Sequence, residues 1–69
     1  MKIGSTFHAE YMIEKRKLQK FWVEEAIKYP DKLEKYKGKY YARKRLNGVT
    51  IEVVYEREKH IKIITVYPV

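Results

Sequence analysis

Asn47-Gly48 stands between two runs of alternating polar and apolar residues, at 40–46 and 49–57. The dipeptide suits the positive φ angles that a two-residue type I′ turn needs at both central positions, and is the strongest short hairpin signal in the chain. A two-residue turn dictates register. Leu46 must face Val49, Lys44 Ile51, Ala42 Val53 and Tyr40 Tyr55, while Arg45 faces Thr50, Arg43 Glu52 and Tyr41 Val54. A three-residue turn at Glu58-Lys59-His60 extends the ladder to a strand at 61–67. It sets Arg57 opposite Ile61, Tyr55 opposite Ile63, Val53 opposite Thr65 and Ile51 opposite Tyr67. On the other face Glu56 meets Lys62, Val54 meets Ile64 and Glu52 meets Val66. Two opposite-charge pairs, Arg43 with Glu52 and Glu56 with Lys62, follow from a register chosen without them.

Upstream of Pro30 the apolar period is 3.6 rather than 2. An extended segment at 2–7 leads to Ser5 or Thr6 as N-cap, with Glu10 in the first turn facing the helix dipole. Ala9, Met12, Ile13 and Arg16 share one stripe of a helix ending near Lys17. A second helix runs from about Lys20 to Tyr29, with Trp22, Val23, Ala26 and Ile27 on its inner side; Gln19 is a poor cap for it. Pro30 ends that helix, since the residue before a proline leaves the α region. Residues 32–36 can form an edge strand blunted by lysines, and 37–39 can turn it. The order implies an α+β domain over residues 1–69: two N-terminal helices on one face of a three- to four-stranded antiparallel sheet.

The faces differ in kind. Leu46, Val49, Ile51, Val53, Tyr55, Ile61, Ile63, Thr65 and Tyr67 are expected under the helices. The other face carries Tyr41, Arg43, Arg45, Thr50, Glu52 and Lys62, beside an apolar island of Val54, Ile64 and Val66. Such an island marks a partner surface, for a second copy or for another protein.

Charge narrows the function classes. Sixteen Lys/Arg against nine Asp/Glu give +7 over 69 residues. Twelve of the bases and only four of the acids fall between residues 15 and 45, and the stretch 35–45 has six bases and no acid. That is the electrostatic footprint of a polyanion binder. Abundant Lys and Glu with no Cys also match hyperthermophile composition, so part of the excess can be heat adaptation. No apolar run approaches a membrane span and no secretory h-region follows Met1-Lys2, so a cytoplasmic chain without a membrane partner is expected. The lack of cysteine excludes disulfides, thiolate metal sites and a Cys nucleophile. Gly4, Gly38 and Gly48 are isolated, which excludes a phosphate-binding loop, and no metal or cofactor is expected.

The remaining chemistry belongs to bases, tyrosines and one histidine. His8 stands at a strand-to-helix junction, where a neutral imidazole can move protons or simply cap and pack. Arg16 lies on an apolar stripe and either snorkels or meets a phosphate. Lys44 is the one charge among apolar neighbours on its face and is expected to converge with Tyr67. Lys37, Lys39, Tyr41, Arg43 and Arg45 compose a stacking-plus-charge strip of the kind that holds single-stranded nucleic acid.

An ordered pattern runs through His8-Ala9, Arg16, Leu18, Val23-Glu24-Glu25, Ile27, Pro30-Asp31, Gly38, Tyr40, Lys44-Arg45, Asn47-Gly48, Ile51, Val53-Val54-Tyr55 and Ile64-Thr65-Val66-Tyr67-Pro68. It resembles a family of short domains of unknown function that opens on a His-Ala helix and closes on a Thr-Val-Tyr strand. That family is similar to the BrnT and RelE toxins of toxin–antitoxin pairs. The pattern departs from the family in the first helix, where Met12 and Lys17 stand in place of Arg and Gly. The resemblance implies metal-independent RNA cleavage, in which the ribose 2′-OH attacks its own phosphodiester. It also implies RNA, free or on the ribosome, as substrate and an acidic antitoxin as partner. Carried over by position, it assigns His8, Arg16 and Tyr67, with Lys44 or Arg45 on the basic strand. A non-catalytic RNA- or DNA-binding module and a protein-interaction domain stand beside the endonuclease as alternatives.

Overall fold

A computed structural model describes residues 3–69; Met1 and Lys2, the latter the first residue of the expected extended segment, lie outside them. Seven elements follow in order: β1 (Ile3–Ser5), α1 (Phe7–Lys15), α2 (Lys20–Lys28), β2 (Lys32–Tyr36), β3 (Lys39–Leu46), β4 (Val49–Arg57) and β5 (Ile61–Pro68). The sheet order is β1-β5-β4-β3-β2. The α+β class is as read from the sequence, but the sheet has five strands and is mixed. The expected extended segment becomes β1 and pairs parallel with β5, Gly4 opposite Lys62.

Local chemistry accounts for the elements. Asn47 and Gly48 adopt φ of 49° and 79°, the type I′ turn, and every β3 to β4 pairing is the one that turn dictates. Lys37 and Gly38, at 50° and 80°, form a second such turn, so that hairpin has two loop residues and not three. Thr6 caps α1 by accepting a hydrogen bond from the Ala9 backbone N–H at 3.1 Å. Gln19 gives α2 no side-chain cap. α1 lies over β5 and β1, and α2 over β3 and β4. Between the layers Ala9, Ile13, Val23, Ala26 and Ile27 meet Ala42, Ile51, Val53, Tyr55, Ile61, Ile63 and Val66.

The β4 to β5 ladder follows the expected register only as far as Tyr55 opposite Ile63. A bulge then makes Ile64 an extra residue, so that Val54 faces Thr65, Val53 faces Val66 and Glu52 faces Tyr67. Because side chains alternate with period two, one extra residue exchanges the faces of everything beyond it. Val66 is 0% exposed in the core, and Tyr67 and Thr65 move to the open face, reversing three assignments. The expected island of Val54, Ile64 and Val66 is therefore not formed: Val66 lies under the helices and Val54 is 5% exposed. The bulge is held by Thr6, whose N–H donates to the Ile63 carbonyl and whose hydroxyl donates to the Ile64 carbonyl, both at 3.1 Å. One side chain thus caps α1 and satisfies the bulge. Thr6→Ala should cost about 1–2 kcal/mol in urea unfolding, and Thr6→Ser should recover most of it. Equal losses for both variants would refute the hydroxyl's double role.

Candidate nucleic-acid interface

Two-period alternation places Lys39, Tyr41, Arg43 and Arg45 in a single row on the sheet face away from the helices. The neighbouring strand adds Lys32, Glu34 and Tyr36 to the same face, since Lys32 pairs with Arg43, Glu34 with Tyr41 and Tyr36 with Lys39. Lys37 sits at the turn beyond this row, its ammonium 5.3 Å from the Tyr36 ring centroid. All five residues of the expected strip thus occupy one strand and its turn. Tyr36, strongly exposed, is an aromatic at the same end that the sequence reading does not assign.

Beyond the row lies a second feature. Glu52 receives a hydrogen bond from the Arg43 guanidinium at 3.2 Å through one carboxylate oxygen, and from the Tyr67 hydroxyl through the other. Arg43 is about half exposed and the Glu52 side chain mostly covered. The bond donated to Glu52, then burial and the neighbouring negative charge, push the Tyr67 phenol up to about 12, against a lowering by Arg43. Tyr67 therefore keeps its proton at neutral pH and acts as a donor. An open cleft of about 340 Å³ brings Glu52 and Tyr67 together with Glu34, Lys35, Tyr36 and Tyr41.

The four residues expected to converge do not share a site. His8 is exposed in the first turn of α1, and Arg16 is exposed at its C-cap, about 12 Å further along the axis. Arg16 lines a different cleft, with Lys15, Lys17, Leu18, Trp22, Val49 and Pro68. Lys44 does lie on the helix side of β3, but its ammonium is 3.8 Å from Asp31, whose other oxygen accepts the Arg45 backbone N–H at 2.9 Å. Tyr67 is across the sheet from Lys44, because the bulge turns it over. Of the four, Tyr67 alone joins the basic row. The sequence reading makes Glu52 only the cross-strand charge partner of Arg43. The alternation offers no signal for the cluster, because the doublet Ile63-Ile64 breaks it no more than Tyr40-Tyr41 or Val53-Val54, which pair regularly between β3 and β4.

Among the described residues no group of three or more His, Cys, Asp or Glu could hold a metal ion, and no helix is long and apolar enough to cross a membrane. Residues 5–68 match the model of a family described as Domain of unknown function (DUF4258), and the chain belongs to that family. No curated protein and no solved structure matches the chain.

Proposed function

We propose that this member of the DUF4258 family binds single-stranded RNA along the open face of its sheet and cleaves it there without a metal, as a toxin-like endonuclease of the kind that BrnT and RelE represent. The observation that supports the reading is the juxtaposition on one face of a basic-aromatic row and a carboxylate held between an arginine and a protonated tyrosine. The row supplies phosphate neutralisation and base stacking. In the reaction Glu52 takes the proton of the attacking 2′-OH as the new P–O bond forms. Arg43 steadies the charge gathering on the phosphorane, and Tyr67 gives its proton to the departing 5′ oxygen. The products are a 2′,3′-cyclic phosphate and a 5′-hydroxyl, with Glu52 returning the proton to Tyr67. An acidic antitoxin encoded beside this chain would be the natural cover for so basic a face, and the neighbouring reading frame is where to look for it.

RNA binding is measured by fluorescence anisotropy on single-stranded oligonucleotides over a salt series. For about four phosphate contacts, affinity should fall on the order of 50-fold between about 50 and about 200 mM salt. Joint replacement of Tyr41, Arg43 and Arg45 by Ala should abolish the complex while circular dichroism stays unchanged. Absence of any complex with RNA or DNA at low salt would overturn both nucleic-acid readings in favour of a protein-interaction domain. Binding without cleavage, in EDTA and with or without ribosomes, would reduce the proposal to a non-catalytic module.

A further inference from the structure

β2 is one edge of the sheet and all five of its residues are exposed. The helices leave it open, α2 lying over β3 and β4. Leu33, on the helix side of β2, is 49% exposed, an apolar side chain in the middle of a strand that pairs on one side only, with β3. Exposed edges invite pairing, and lysines commonly discourage it. Here the charges instead complement one particular partner.

The turn settles which backbone groups are free. Flanking a two-residue type I′ turn, Tyr36 and Lys39 form a hydrogen-bonded pair, and such pairs alternate along an antiparallel ladder. Glu34 is therefore bonded to Tyr41, while the N–H and C=O groups of Leu33 and Lys35 point away from β3. A second copy laid antiparallel must set outward residues opposite outward residues, which allows only a few registers. Centred on Lys35, the pairing opposes two lysines; centred on Glu34, it opposes two glutamates. Centred on Leu33, it sets Leu33 against Leu33, Lys32 against Glu34 and Lys35 against Asp31, with each charge pair occurring twice. Within one chain Lys32 already meets Glu34 at 3.2 Å and Asp31 meets Lys44 at 3.8 Å, so the cross-edge pairs share those charges. The backbone ladder is short, because the Asp31 N–H is already spent on the Arg43 carbonyl at 2.8 Å.

We infer that β2 is a self-complementary edge through which two copies of this chain pair antiparallel about Leu33, forming a ten-stranded sheet. The two-fold axis then runs normal to the sheet, so both helix layers lie on one side and both basic rows on the other. Three strand spacings separate the rows, about 14 Å. The interface is smaller than the ~1,600 Å² of a standard stable complex, so the dimer is weak and concentration-dependent. This inference rests on the edge alone and stands apart from the RNA reading.

Sedimentation equilibrium of the full chain from about 10 µM to about 1 mM tests it, a range chosen for a small interface. The wild type should shift from monomer toward dimer across that range. Glu34→Lys, which replaces both attractive cross-edge pairs with Lys32 by ammonium–ammonium repulsion, should stay monomeric. The exchange Lys32→Glu with Glu34→Lys should restore dimerisation. Leu33→Pro removes an outward N–H and no bond to β3, so it should give a folded monomer by circular dichroism. A wild type that is monomeric throughout overturns the proposal. So does a dimer indifferent to Glu34→Lys, which would assign association to another surface.

Discussion

Glu52→Gln should slow RNA cleavage by about 10²–10⁴-fold while RNA affinity changes little. The amide keeps the shape of the carboxylate, and its oxygen still accepts from Arg43 or Tyr67, but it cannot take the 2′-OH proton. Tyr67→Phe should cost a similar factor by removing the proton donor, and the double variant should lose much less than the product of the two, since the base and the acid act in one transition state. His8→Ala, on the exposed end of α1, should fall within about twofold of wild type, well below the loss expected of a proton-transfer group. Single-turnover rates on a labelled oligonucleotide, paired with anisotropy, separate these outcomes. A His8→Ala loss as large as that of Glu52→Gln would move the chemistry to the helix layer and overturn the assignment. Parallel loss of binding and cleavage in Glu52→Gln would make Glu52 an affinity residue.

Ile51→Ala should bring the domain to the edge of unfolding. Ile51 is 0% exposed at the centre of the sheet, between Lys44 on β3 and Pro68 on β5, and it is among the largest fully buried side chains. Removing its outer carbons forfeits burial and leaves a cavity, about 2–5 kcal/mol in comparable cores. A chain of this length has only about 3–10 kcal/mol to lose. Thermal unfolding should therefore show a drop of about 10–30 °C in midpoint. Ile51→Val, which deletes one methylene, should cost about 0.5–1.5 kcal/mol. A loss below about 1 kcal/mol for Ile51→Ala would mean that the site collapses around the gap and that the core is not centred there.

Much of the fold and half of the candidate site are legible in the residues themselves. Asn47-Gly48 sets the β3 to β4 register through local backbone geometry, and with it the row of Lys39, Tyr41, Arg43 and Arg45. Pro30 and the change of period place the helices ahead of the longer strands, and Thr6 is one of the two caps that the spacing offers. These are short-range properties, carried by φ preferences and by spacing along one segment, so the hairpin, the helices and the basic row are each encoded within a few residues. The side of the sheet taken by Tyr67 is of another kind. Alternation continued from Ile61 puts Tyr67 under the helices, but the extra residue at Ile64 reverses it, and that residue is stabilised by Thr6, 58 positions earlier in the chain. Burial of Val66 rewards the same shift. The parallel pairing of β1 likewise depends on where α1 comes to rest over β5. Which tyrosine joins Glu52 and Arg43 is therefore a long-range outcome: a one-residue bulge, held by a distant hydroxyl and a distant core position, governs every face beyond it.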